Sequence, residues 1–331
     1  MTSAAYLRGS GAAHEPLTSC GSTVEGQMMN RREVFAGTLA GGAALALAAT
    51  ATHAAPRAGT TSPAWVTAPD GTRLYVRSWG TGAPILFLSG WALSSDMWAY
   101  QMATLSERGF RCIAFDRRGH GRSDDPGRGY DYATLAGDVD AVLTALDVRG
   151  AAVVAHSMSG GEILRYLGGK PATGRVARVL FLATTLPCLA AKPDNPAGVP
   201  AAAFDQMRQQ FYRDFPQWID SNSDAFVVPE TSPLMRQWIK NIMLGTSLRA
   251  VIDLNRAMTA ADFRADLRAI NIPALFIHGD KDASAPLALT GLPASQLMKS
   301  ARLVVYEGAP HGLFVTHIDR LNADIEAFAK A

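Results

Sequence analysis

Cysteine is scarce in this chain. Only Cys20, Cys112 and Cys188 occur in 331 residues, with no C-x-x-C pair and no Cys/His cluster. That excludes a disulfide-stapled scaffold and argues against a structural zinc site. No metal and no cofactor is expected. Cys112 lies in an apolar run and reads as a small core residue; a Cys112–Cys188 bridge has no local support. Charge excess is scarce as well: Lys+Arg is 31 against Asp+Glu 29, a net charge of +2, with no long basic run. The chain therefore lacks the electrostatic footprint of a nucleic-acid partner, and a small substrate without strong charge is expected. Internal repeats and low-complexity segments are missing outside the N-terminus, and nothing in the pattern specifies an oligomer. What the chain does have is apolar content, 48% of its residues, enough for a large core.

The N-terminal residues 1–60 read as a leader. Arg31-Arg32, followed by Glu33-Val34-Phe35, precede an uncharged Ala/Gly/Leu stretch over residues 34–52, with small residues near Ala54 and Ala55 for cleavage. This layout matches a secretory signal peptide, and the paired arginines resemble a twin-arginine export signal. The expected location is periplasmic or secreted. The alternative is an uncleaved anchor, but the Gly/Ala-diluted segment is marginal as a spanning helix, and no stable membrane insertion is expected once the leader is removed. Met28 or Met29 is an alternative start of translation.

Over residues 61–331, short continuously apolar runs alternate with helical patterns. Residues 74–79 follow the turn signal Pro69-Asp70-Gly71, and the runs 85–88, 112–115, 152–155, 179–182, 274–277 and 303–306 suit strands buried on both faces. Helices are expected over 97–108, 132–146, 160–167 and 318–329. This alternation predicts an α/β fold with a doubly wound, mostly parallel sheet. Residues 187–258 break the rhythm with prolines and bulky side chains at helical spacings, among them Phe211, Phe215, Trp218 and Phe226. They read as a helical cap inserted over the ligand edge of the sheet, with most of its aromatics filling its own core.

Three loops carry the chemistry. After the strand at 152–155, His156-Ser157-Met158-Ser159-Gly160-Gly161 leads into a helix, a variant of the G-x-S-x-G nucleophile elbow with Ala155 and Ser159 at the glycine positions. Alone, this motif fits a serine capping a helix equally well. A serine hydroxyl needs a base. His311, in Gly308-Ala309-Pro310-His311-Gly312 after a late strand, is the best placed, ahead of His156, His278 and His317. The imidazole needs an orienting acid. Asp280 and Asp282 follow the strand at 274–277; Asp280 suits capping of the turn, which leaves Asp282. The order Ser157, Asp282, His311 is that of α/β-hydrolases. Backbone N–H groups of Met158 and Trp91, the latter in Ser89-Gly90-Trp91-Ala92, are the expected oxyanion donors, each worth about 3 kcal/mol at the transition state.

With those residues in view, the chain resembles the cofactor-free bacterial chloroperoxidase and aryl-esterase group of α/β-hydrolases. Gly90-Trp91, Asp96-Met97-Trp98, Asp116-Arg117-Arg118-Gly119-His120-Gly121-Arg122-Ser123, Tyr130-Asp131-Tyr132, Gly160-Gly161-Glu162 with Arg165-Tyr166, and His311-Gly312 carry the likeness. The resemblance implies hydrolysis of small carboxylic esters, with peracid formation and halide oxidation as a side reaction. Three departures stand out: Ser89 replaces the usual histidine, Ala155 and Ser159 replace the elbow glycines, and Ala92 stands where many peracid-forming members carry proline. Ester hydrolysis is therefore favoured. A perhydrolase or thioesterase using the same triad, and a non-catalytic binding protein, are the alternatives; a haloalkane dehalogenase would need a carboxylate at position 157. The 116–123 string is expected to knit the loop after its strand into the base of the site rather than take part in the chemistry.

Overall fold

The computed structural model describes residues 64–169 and 174–331. The leader expected over residues 1–60 lies outside the described residues. Among the described residues eight strands form one sheet: β1 (Trp65–Thr67), β2 (Arg73–Trp79), β3 (Ala83–Leu88), β4 (Phe110–Phe115), β5 (Ala151–His156), β6 (Val176–Leu182), β7 (Ala274–Gly279) and β8 (Ala301–Tyr306), in the order β1-β2-β4-β3-β5-β6-β7-β8. β1 and β2 run antiparallel to their neighbours, and every pairing from β4 to β8 is parallel. All six residues of β5 and of β7 are buried, as continuous apolar runs require in a sheet covered on both faces. β2 instead alternates, and the hairpin before it turns at Gly71, whose φ is +89°.

Among the described residues ten helices accompany the sheet: α1 (Ala99–Glu107), α2 (Tyr132–Ala145), α3 (Ser159–Gly169), α4 (Ala201–Asn222), α5 (Pro233–Leu244), α6 (Leu248–Ala260), α7 (Arg264–Ala269), α8 (Gly291–Leu297), α9 (Leu313–Thr316) and α10 (Ile318–Lys330). Two hydrophobic layers result. On one face Leu135 and Val139 of α2, Ile163 and Leu164 of α3 and Leu267 of α7 pack on Leu86, Val153, Val179 and Phe276. On the other, Met102 of α1 and Leu321, Ile325 and Phe328 of α10 pack among Ile85, Phe87, Val154 and Ile277. Asp131 starts α2 by accepting the N–H groups of Ala133 and Thr134.

Two expectations shift in detail. The single helix expected from 97 to 108 is a 3₁₀ turn at Ser95–Trp98, which opens on Ser94, followed by α1. Between β6 and β7 lie α4 to α7, and α4 is broken at Asp214 (φ −164°, ψ 85°), two residues before Pro216, because the proline ring clashes with the preceding turn and lacks an N–H for it; Asp214 caps the new start by accepting the Gln217 N–H. The sequence pattern misses α8, a seven-residue helix containing both Gly291 and Pro293.

The strand order fixes where a ligand can sit. From β3 the chain moves outward to β4, then returns across to β5 on the other side of β3. The carboxyl ends of β3 and β5 therefore flank the point where the winding reverses, the crevice used by open α/β sheets. Ser89 follows β3 and Ser157 follows β5.

The end of β7 is held tightly against the loop that carries His311: a Cβ on Gly279 would lie 2.0 Å from the Ala309 carbonyl oxygen. Gly279→Ala must push the two backbones apart. It is expected to lower stability by about 1–3 kcal/mol, read as a reduced urea midpoint with an unchanged m-value.

Candidate active site

β5 is the central strand that delivers Ser157. The chain leaves it in a left-handed turn, with φ of +57° at Ser157, a conformation a non-glycine residue holds only when its surroundings enforce it. The Ser157 N–H donates to Leu182 O at 2.9 Å, and Gly160 N–H donates to Ser157 O at 3.2 Å. Small residues let α3 start immediately beside the sheet. A Cβ on Gly160 would lie 2.6 Å from Thr184 Oγ1, and one on Gly161 2.4 Å from the Phe263 ring. The two departures from the elbow pattern are both accommodated. Ala155 is fully buried, and the Ser159 hydroxyl lies 2.8 Å from His156 O and 3.0 Å from Leu88 O. A serine at this glycine position thus ties the ends of β5 and β3 together.

The structure brings Ser157, His311 and Asp282 into one line. Ser157 Oγ lies 3.0 Å from His311 Nε2, and His311 Nδ1 lies 2.7 Å from Asp282 Oδ2. All three residues are buried. The carboxylate can only accept when ionised, so His311 carries its proton on Nδ1 and presents Nε2 to the hydroxyl. Burial opposes the Asp282 charge, but His311 and His278 outweigh it and hold the carboxyl well below its usual range. Its other oxygen, Oδ1, accepts N–H groups from Ser284 at 2.9 Å and Ala285 at 2.7 Å. Asp280 lies apart: its Oδ1 accepts the Gly308 N–H at 2.7 Å.

Trp91 and Met158 occupy the two loops expected to supply N–H donors. Among the described residues, neither backbone N–H has an acceptor. The Trp91 side chain is fixed from above, where its Nε1–H donates to Val251 O of α6 at 2.9 Å. Its ring packs against Phe211 (centroids 5.3 Å apart), Phe215 (6.0 Å) and Trp218 (5.7 Å) of α4, while Phe226 meets the His311 ring edge-on at 5.4 Å. Most of the insertion's aromatics were expected to fill its own core; Phe211, Phe215 and Trp218 do pack on one another, with Phe211 and Trp218 centroids 4.8 Å apart, but they also enclose the Trp91 ring, and Phe226 reaches His311. Periodicity shows which residues share a helix face but not what lies opposite, so the sequence offers no signal for this.

His156, ranked behind His311 as the base, also lies close: its ring is 4.7 Å from that of His311, and its Nε2 lies 3.2 Å from His311 O. Burial, and then the nearby His311, push it well below the ordinary histidine value.

The 116–123 string lies beneath the site. Arg117, buried, bonds Glu162 Oε1 through Nε at 2.7 Å and donates to the carbonyls of Gly90 at 3.1 Å and Ser89 at 2.5 Å. It thereby ties the Trp91 loop to α3. Arg118 grips Asp138 through two 2.7 Å bonds and Asp70 at 2.8 Å. Asp116 accepts Ser95 N–H at 2.8 Å and Arg122 Nε at 2.8 Å. Cys112 and Cys188 are free buried thiols.

An eight-stranded, mostly parallel sheet with a serine on a left-handed turn at its winding reversal defines the α/β-hydrolase class. The family described as the alpha/beta hydrolase fold matches residues 83–318, and the chain belongs to it. It is 38% identical over 274 residues to a non-heme haloperoxidase from Rhodococcus erythropolis, covering 81% of this chain and 99% of that protein. It is 35% identical to the bifunctional esterase/perhydrolase DCH of Acinetobacter calcoaceticus, with coverage of 81% and 99%. Among solved structures it resembles a bromoperoxidase from Bacillus anthracis (TM-score 0.77, 32% identity) and an esterase from Exiguobacterium antarcticum (TM-score 0.78, 28% identity), each over 81% of this chain and 99% of that one.

Arg118→Met leaves Asp138 buried without its cation and is expected to cost about 3–5 kcal/mol, whereas adding Asp138→Leu should recover part of the loss in chemical denaturation. Burial, then the Arg117 charge, push His120 down to about 3. The unfolded chain protonates that imidazole near its ordinary 6.5, so it binds more protons than the native state below that pH. His120 thus contributes a loss of stability as pH falls from 6.5 toward 3, at up to about 1.4 kcal/mol per pH unit. Melting temperatures over that window should fall less steeply in His120→Asn than in the wild type.

Proposed function

We propose that the protein is a serine hydrolase of small carboxylic esters, with Ser157 as nucleophile, His311 as general base and acid, and Asp282 as the orienting acid. The observation that carries this reading is the unbroken 3.0 Å and 2.7 Å line from Ser157 through His311 to Asp282. Ser157 attacks the ester carbonyl as His311 Nε2 takes its proton. The Trp91 and Met158 N–H groups receive the charge that develops on the carbonyl oxygen. His311 then protonates the departing alcohol. A water, deprotonated by the same imidazole, releases the acid and restores Ser157. Asp282 keeps its charge throughout and stabilises the imidazolium. No cofactor enters this cycle. Export by the twin-arginine signal at Arg31-Arg32 belongs to the same proposal.

Peracid formation is the second reading, supported by the esterase/perhydrolase relative. Against it as the main activity stands Ala92, whose φ is +56°. A proline ring fixes φ near −65°, so a chain with proline at this position cannot follow the same loop path beside Trp91.

Ser157→Ala is expected to lower kcat/KM for p-nitrophenyl acetate by about 10⁴-fold or more while leaving the melting temperature close to that of the wild type. Wild type should label with a fluorophosphonate probe and the variant should not; equally poor labelling of both would make this a binding protein. Peroxide-dependent bromination exceeding ester turnover would put the second reading first.

A further inference from the structure

A second histidine shares the carboxylate oxygen that orients His311. His278, at the end of β7, is fully buried. Its Nε2 lies 2.7 Å from Ala285 O and 3.2 Å from Asp282 Oδ2. Both neighbours are acceptors, so Nε2 must carry the proton. The other ring nitrogen, Nδ1, has no hydrogen-bond partner among the described residues. It is pressed against α8, where a Cβ on Gly291 would lie only 2.4 Å from it. Ala285 in turn donates its N–H to Asp282 Oδ1. His278 thus bonds Ala285, Ala285 bonds Asp282, and the His278 ring makes a close contact with the carboxylate, so the acid turn is held from both sides.

We infer that His278 is a positioning residue for the proposed hydrolysis, fixing Asp282 and moderating how strongly its Oδ2 charge acts on His311. Each donor to a carboxylate oxygen withdraws some of its negative charge from the others. Oδ2 faces two N–H groups here, Nδ1–H of His311 at 2.7 Å and, at 3.2 Å, Nε2–H of His278, whose shorter bond is to Ala285 O. Removing the His278 donor leaves more charge on Oδ2 for His311, stabilises the imidazolium and makes the general base stronger. The other titratable groups around this network are His156, whose ring lies 4.7 Å from His311, and the exposed Asp280 and Lys281 on the same turn. α8 presents a glycine to His278 and no charge.

This rests on the serine-hydrolase reading, and the experiment keeps the two apart. The kcat/KM–pH profile for p-nitrophenyl acetate is compared in wild type, His278→Leu and His278→Gln, with Ser157→Ala as control. In His278→Leu the acid limb should move up by about half a pH unit; His278→Gln, which keeps an N–H donor, should leave it near the wild-type position. Equal rate losses in both variants with an unmoved limb would reduce His278 to packing and overturn the inference. Undiminished activity in Ser157→Ala would instead overturn the hydrolase reading. Should His278→Leu fail to fold, ¹⁵N-histidine spectra of the wild type decide. An Nε2–H tautomer at this residue supports the assignment, and an Nδ1–H tautomer removes it.

Discussion

The left-handed turn at Ser157 is the constraint on which the rest of the site depends. A side chain at φ +57° is held there by main-chain bonds to Leu182 and from Gly160, and by an absence of bulk at Ala155, Gly160 and Gly161. If the turn relaxed toward an ordinary strand-to-helix bend, the hydroxyl would leave the His311 ring and the Met158 N–H would lose its aim. The conformational cost of this turn is of order 1–3 kcal/mol. It is offset by β5 and α3, which sit among the most completely buried elements of the chain.

Around that turn, polar groups are used to fix loops rather than to add stability by number. Arg117 is bonded to Glu162 and to the carbonyls of Ser89 and Gly90. Together with the Ser159 hydroxyl it connects the loop after β3 to the helix after β5, so the two loops proposed to supply N–H donors rest in part on one buried ion pair. A buried pair of this kind gains little net energy against an apolar replacement. What it gives is a fixed relation between two loops that meet nowhere else in sequence.

Much of this was legible from residues alone. Continuous apolar runs locate β3 to β7 because strands buried on both faces have no polar side to reveal; the run at 303–306 also marks a strand, but β8 lies at the sheet edge with Arg302 and Val305 exposed, so it is not buried on both faces as expected. Strand-then-loop spacing singles out Ser157, Asp282 and His311, since ligand-facing loops in a parallel sheet follow the carboxyl ends of strands. The structure brings those three together and puts Asp280 on Gly308. Illegible were relations across space. The path of His156 toward His311 depends on how β5 and the late loop approach. The gathering of Phe211, Phe215 and Trp218 on Trp91 depends on how α4 crosses the sheet edge. The kink at Asp214 was visible only as Pro216, and α8 was hidden by carrying two helix breakers in seven residues.

Trp91 joins two parts of the molecule that would otherwise be separate. Its main chain belongs to the loop after β3, while its indole is bonded to α6 and enclosed by α4. The roof and the reacting floor are thus mechanically linked through one residue. A bulky guest that forced α4 outward would tug on the residue whose amide is the proposed oxyanion donor, so under that proposal a poor fit overhead would be felt as slower turnover as well as weaker capture.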